Sequence, residues 1–372
     1  MLGLIDSTLR EGAQTVGVLF SLDQKIAIAQ AVAAIGIEEV ELGVVTPLDQ
    51  ELPVLIDACR ALERSPRLAL WCRCRPEDIK VAARLRPEVL SLSMPASDLH
   101  ITKRLQKTYS WVLCRLRSTL RQARDLGLDY LSLGLEDASR AEQAFLAELI
   151  GEAVAAGVRR IRFADTVGIM TPYETGALIS SYRQRYPDLE LAFHGHNDFG
   201  MASANALSAL EAGAHWADVA VLGLGERAGC ARLEELAGML TLVKKRRVYR
   251  VEGLRPLCEL VAQAAGRSIA ADHPLVGGAI FSCESGLHAH GLLMDPVSYE
   301  PYPPERVNAR RTILLGAKTG GRAVAAHCAR LGVSPPSINA LPAMVAKVRQ
   351  RARELGRPLF DAEVMGLVGS GC

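Results

Sequence analysis

Apolar and polar positions alternate through the first 240 residues with a regular beat: short β-rich runs, each followed by a longer helical segment. The runs predict strands at 2–8, 38–44, 67–73, 88–94, 129–135, 160–166, 189–195 and 217–223. Several are continuously apolar, as strands of a parallel sheet are when helices cover their outer face. Between them lie amphipathic stretches such as 21–36, with Ser21 placed to cap the start and Gly36 the end. A second such stretch, 139–157, also opens on Ser and closes on Gly. Eight β-α units in one array predict a (β/α)8 barrel. A doubly wound nucleotide-binding sheet is the alternative, and no G-x-G-x-x-G after the first strand supports it.

The beat stops near residue 244. A basic run at 244–247 fits a solvated helix end or linker. A helical stretch at 252–266 follows, then an irregular Pro/Gly-rich segment from 272 to 320 and a helical tail from 321. The expected organisation is a barrel over 1–243, a linker and lid over 244–320, and a small helical subdomain over 321–372.

Composition narrows the class. Hydrophobic residues make up 49% and charged residues 23%, with a net charge of +2. That balance suits a large globular core and argues against nucleic acid or a membrane surface as the main partner. The N-terminal segment lacks the basic and apolar regions of a signal peptide, and no uncharged apolar run is long enough to span a bilayer. Nine cysteines without C-x-x-C spacing fit buried free thiols in the cytoplasm.

In such barrels the chemistry gathers at the C-terminal ends of the strands. Here those ends carry Arg10 and Glu11, Glu136 with Arg140, Asp165 with Thr166, His194 and His196, and the stretch from Gly225 to Cys230. Residues i and i+2 of a strand point to one side. His194 and His196 can therefore share a cation, with Glu11 on a nearby strand completing a face of two imidazoles and one carboxylate. A pair of core histidines is the alternative. Cys230, just past the eighth strand, is either a further metal ligand or a buried thiol. Arg10 suits a developing oxyanion or a structural ion pair; Arg140 and Thr166 suit a bound acid, and Arg140 equally a surface salt bridge.

These residues occur in a familiar setting. Asp6-Ser-Thr-Leu-Arg-Glu-Gly12 resembles the signature of the DRE-type TIM metallolyases, a family of isopropylmalate, citramalate and homocitrate synthases and hydroxymethylglutaryl-CoA lyases. The segments 134–140, 164–168, 194–198, 223–229 and 284–288 follow in the family's order. Segments 70–73, 94–98 and 135–140 are most similar to the homocitrate-synthase branch of nitrogen-fixing bacteria.

The resemblance implies a divalent ion (Zn, Mn or Mg) held by Glu11, His194 and His196. It implies a condensation of acetyl-CoA with a small 2-oxo acid. The base would be His288, assisted by Tyr299 and Glu136, with His290 close enough to compete for that role. Arg10, Gln14, Arg75, Arg140 and Thr166 would bind substrate, and the molecule would be a domain-swapped homodimer. Two departures stand out: Cys230 where the family has Asn near the metal, and Ala13 where it commonly has Glu. The leucine-sensing domain of longer isopropylmalate synthases is not expected. Arg75, helped by His100, offers the cation that a distal carboxylate needs, which favours 2-oxoglutarate over 2-oxoisovalerate.

Overall fold

The computed structural model describes residues 2–246 and 249–369. Eight parallel strands close into a barrel in chain order. They are β1 (Gly3–Asp6), β2 (Glu39–Val44), β3 (Arg67–Arg73), β4 (Val89–Pro95), β5 (Leu131–Glu136), β6 (Arg160–Asp165), β7 (Glu190–Gly195) and β8 (Trp216–Val219). The closing pair sets Asp6 of β1 opposite Val219 of β8. A helix follows every strand: α1 (Leu22–Ile35), α2 (Leu52–Arg60), α3 (Pro76–Leu85), α4 (Tyr109–Asp125), α5 (Gln143–Ala155), α6 (Pro172–Arg185), α7 (Ala202–Glu211) and α8 (Leu233–Gly238). The barrel expected from the β-α beat is the observed fold.

Local chemistry explains the element ends. Ser21 and Gln24 form a reciprocal capping box at the start of α1, and Gly36 ends it in the left-handed region at φ 96°. Thr171 and Glu174 cap α6 in the same way, with Pro172 at its first turn.

Two expectations need correction. The eighth strand ends at Val219 rather than 223, because the chain turns back there. The Ala220 carbonyl accepts from both Gly223 and Leu233, and Leu222, at φ 58°, donates its N–H to Glu234. The helix expected at 139–157 begins only at Gln143. Residues Ala138–Arg140 form a separate tight turn behind a left-handed Asp137, whose carboxylate accepts from Arg140 Nε at 2.8 Å.

The barrel interior is not purely aliphatic. β2 and β6 each send two charged side chains inward at alternate positions. Arg160 pairs twice with Glu39, at 2.7 Å each. One step nearer the C-terminal ends, Arg162 reaches Glu41 at 3.0 Å and Asp218 of β8 at 2.8 Å.

The chain forms two compact units that part between Ile269 and Ala270. The first holds the barrel and α9 (Leu254–Ala264), which packs on α1. The second carries β9 (Ser282–Cys283) paired in parallel with β10 (Thr312–Ile313). Its helices are α10 (Gly286–Met294), α11 (Gly321–Arg330), α12 (Leu341–Leu355) and α13 (Asp361–Gly369). Leu315, Val324, Cys328 and Val348 build its own core. The segment expected to be irregular from 272 to 320 thus contains a helix, and His288 lies on it. Among the described residues no helix is long and apolar enough to cross a membrane, and the cysteines are free. Arg247 of the basic run and Cys372 lie outside the described residues.

Candidate metal centre

β1 delivers Glu11 to the C-terminal mouth of the barrel through a tight turn. The Ser7 carbonyl gathers the N–H groups of Arg10, Glu11 and Gly12 at 2.7–3.1 Å, which fixes the two charged side chains side by side. β7 delivers His194 and His196. All three residues are buried, and one donor atom from each lies within 4.8 Å of the others. His196 Nε2 stands 3.2 Å from Glu11 Oε1, and His194 Nε2 stands 3.7 Å from Oε2.

The other ring nitrogens are already engaged. His194 Nδ1 donates to Asp218 at 2.9 Å, and His196 Nδ1 donates to the Asp165 carbonyl at 3.3 Å. This arrangement leaves two Nε2 lone pairs and a carboxylate facing one another. Two imidazole nitrogens and a carboxylate facing one another fit a cation between them, and the partners behind the rings are the kind that orient metal-bound imidazoles. Electrostatics agree. Burial alone would raise the Glu11 pKa, yet Arg10, the His196 hydrogen bond and His194 hold it well below the usual carboxylate range. Burial pushes His194 down, against the pull of Asp218, which favours the neutral ring a metal requires.

Arg10 sits beside this cluster, with Nε on Glu41 at 2.6 Å and Nη1 on Glu11. Burial works against its charge, and Glu41 and Glu11 outweigh that. Cys230 is buried behind the loop after β8, bridged through its backbone to His196. Its Sγ donates to the Leu224 carbonyl at 3.2 Å and is not among the three converging donor groups. Burial, and then Glu11, push that thiol well above its usual value.

The remaining expected residues separate into groups. Glu136, at the end of β5, accepts from Ser93 at 2.7 Å and from Arg104, with His100 at 3.8 Å. Burial opposes its ionisation, but His100, Ser93 and Arg104 prevail and hold it near 2. Arg140 is paired with Asp137, and Thr166 Oγ1 accepts the Asp137 N–H at 2.8 Å. Gln14 and Arg75 are exposed. His288 and Tyr299 belong to the second unit, where their rings lie 4.5 Å apart and Gly291 makes room for the tyrosine. His290 pairs with Arg322.

Sequence reasoning missed Asp218, Glu41, Arg162, Ser93 and Arg104. For Glu41 and Arg162 a signal existed: charged residues at i and i+2, Glu39 with Glu41 and Arg160 with Arg162, inside otherwise apolar strands.

Residues 1–261 match the HMGL-like family, and residues 275–356 match the homocitrate synthase post-HMGL domain-like family. The chain belongs to the HMGL-like family. It is 37% identical over 367 residues to a 2-isopropylmalate synthase 2 of Caldanaerobacter subterraneus subsp. tengcongensis, covering 98% of this chain and 94% of that one. It is 38% identical over 320 residues to a homocitrate synthase of Frankia alni, covering 86% and 90%. Its fold matches that of the HMG-CoA lyase from Brucella melitensis with a TM-score of 0.62 at 18% identity, over 71% of this chain and 99% of that one. This HMGL-like chain is an enzyme of the condensing-synthase kind.

Proposed function

We propose that this enzyme condenses acetyl-CoA with 2-oxoglutarate and hydrolyses the resulting thioester, giving homocitrate and CoA. The convergence of Glu11, His194 and His196 beside Arg10 is the observation that carries this reading. Those three side chains would hold a divalent ion, which supplies Lewis-acid polarisation of a keto oxygen. Arg10 offsets negative charge growing on that oxygen. His288, with Tyr299 and the ionised Glu136 in support, takes a proton from the acetyl methyl group. The carbanion so formed adds to the keto carbon, and water then cleaves the thioester.

Arg75, exposed beyond the end of β3, supplies a cation for the distal carboxylate of 2-oxoglutarate, and Thr166, Arg140 and Gln14 line the acid's approach. In this reading the segment 244–320 acts as linker and lid and 321–372 as a helical tail. The lid serves the barrel of a second copy, so the working form is a domain-swapped homodimer in the cytoplasm. The relatives named above differ in their acid, and that choice decides the test. Thiol release from acetyl-CoA is measured with 2-oxoglutarate, 2-oxoisovalerate, pyruvate and oxaloacetate. Turnover is expected with 2-oxoglutarate; turnover with 2-oxoisovalerate alone rejects the homocitrate assignment and favours an isopropylmalate synthase.

A further inference from the structure

Two arginines project from β6 into the barrel two positions apart, and both are buried. They do different things. Arg160 forms a bidentate pair with Glu39, at 2.7 Å for each bond, and its guanidinium lies over the Trp216 ring at 4.5 Å. Arg162 spans three strands. Its Nη1 donates to Asp218 Oδ2 at 2.8 Å, and its Nη2 donates to Glu41 Oε1 at 3.0 Å and to Ser91 Oγ at 2.7 Å.

Each of those two carboxylates in turn holds one member of the metal centre. Glu41 Oε2 accepts from Arg10 Nε at 2.6 Å, and Asp218 Oδ2 accepts from His194 Nδ1 at 2.9 Å. The chain of contacts from Arg10 to His194 therefore runs through a single guanidinium at its midpoint. Every group in it is at most 7% exposed, so water cannot substitute for a missing partner.

We propose that Arg162 is the positioning residue of the metal centre, fixing through Glu41 the orientation of Arg10 and through Asp218 the tautomer and ring plane of His194. The proposal rests on the metal-dependent reading given above. Geometry makes the demand specific. A planar fork of donors can meet two carboxylates and a hydroxyl at once, whereas an ammonium is a point charge that cannot hold all three in place. Without the fork, Asp218 and Glu41 lose the common anchor that sets their spacing. His194 is then free to turn its Nε2 away from Glu11. Partners behind a metal ligand contribute about 10- to 100-fold in metal affinity or activity.

The test compares Arg162→Lys with Arg160→Lys, titrating each metal-stripped, full-length protein with Mn2+ and Zn2+ by calorimetry and recording thermal unfolding. Arg162→Lys is expected to weaken ion binding by about 10- to 100-fold. Arg160→Lys is expected to lower the unfolding temperature and leave ion affinity unchanged. Should Arg162→Lys not fold, Asp218→Asn and Glu41→Gln keep the side-chain shapes, and Asp218→Asn is expected to show the same loss of affinity. Wild-type affinity in a folded Arg162→Lys or in Asp218→Asn overturns the proposal, as does an equal loss in Arg160→Lys. A wild-type protein that binds neither ion instead sinks the metal reading itself, so the two failures are told apart.

Discussion

A methyl group on Gly229 would stand 1.8 Å from the carbonyl oxygen of Gly223. The loop after β8 is folded so tightly on itself that only glycine fits, and Gly229 holds φ 84°, in the region that L side chains avoid. This contact matters for the centre. The Gly229 carbonyl accepts the Asn197 N–H at 2.9 Å, and Cys230 bridges to His196, so the loop backs the second imidazole.

Gly229→Ala is accordingly expected to displace His196 as well as strain the loop. The φ cost alone is about 1–3 kcal/mol, and the clash adds to it. A lowered unfolding temperature together with reduced metal content in the purified protein is the expected pair of results. Wild-type metal content would show that the loop does not support the ligand.

Arg227 ties three loops together. It donates to both oxygens of Asp198 at 2.8 and 2.9 Å and to the Thr166 carbonyl at 2.7 Å. The pair is partly exposed, 41% and 23%, so its stability contribution is small, about 1 kcal/mol or less. Arg227→Ala should therefore unfold near the wild-type temperature while weakening the hold on Thr166. A raised KM for the 2-oxo acid with little change in stability is the expected signature; a large loss of stability with unchanged KM would assign Arg227 to the fold alone.

The barrel and the convergence of Glu11, His194 and His196 were legible because both follow from periodicity. Alternation places His194 and His196 on one side of β7, and closure of eight strands brings Glu11 within reach across β8. The supporting ring was not legible in the same way. Arg162 and Asp218 are 56 residues apart, and Arg162 and Glu41 are 121 apart. Spacing along the chain does not say which inward acid meets which inward base. Local rules also failed where backbone geometry overrode them. Asp137 in the left-handed region cuts the start of the fifth helix, and Gly286 and Gly291 disguise α10 as a loop. The exposed Arg75 and the paired Arg140 show that composition at a rim gives charge but not partners.

Cys230 is the departure with the most direct chemical consequence. The thiol donates to the Leu224 carbonyl and is held protonated by burial, so it offers the centre no donor, whereas an amide oxygen in its place would add a hard one nearby. Cys230→Asn is expected to shift the ratio of Zn2+ to Mn2+ affinity toward Mn2+ by about tenfold. An unchanged ratio and rate would limit the thiol to its hydrogen bond with the Leu224 carbonyl.

Asp6 gives a pH prediction away from the ligands. It is fully buried at the end of β1, and its carboxylate accepts from the Thr8 N–H at 3.3 Å and the Thr8 hydroxyl at 2.7 Å. Burial, with Glu41 and Glu234 adding repulsion, outweighs those bonds and raises its pKa from 3.8 to about 7. The folded protein then holds this proton more tightly than the unfolded chain does. Stability from this group is fully present below about pH 4 and is lost as the pH rises to about 7, with a slope of at most about 1.4 kcal/mol per pH unit. Above that window the contribution is flat. Asp6→Asn removes the titration, so the variant should gain stability relative to wild type between pH 5 and pH 8 in chemical denaturation. Parallel pH profiles for the two proteins across that range would show that Asp6 does not titrate there.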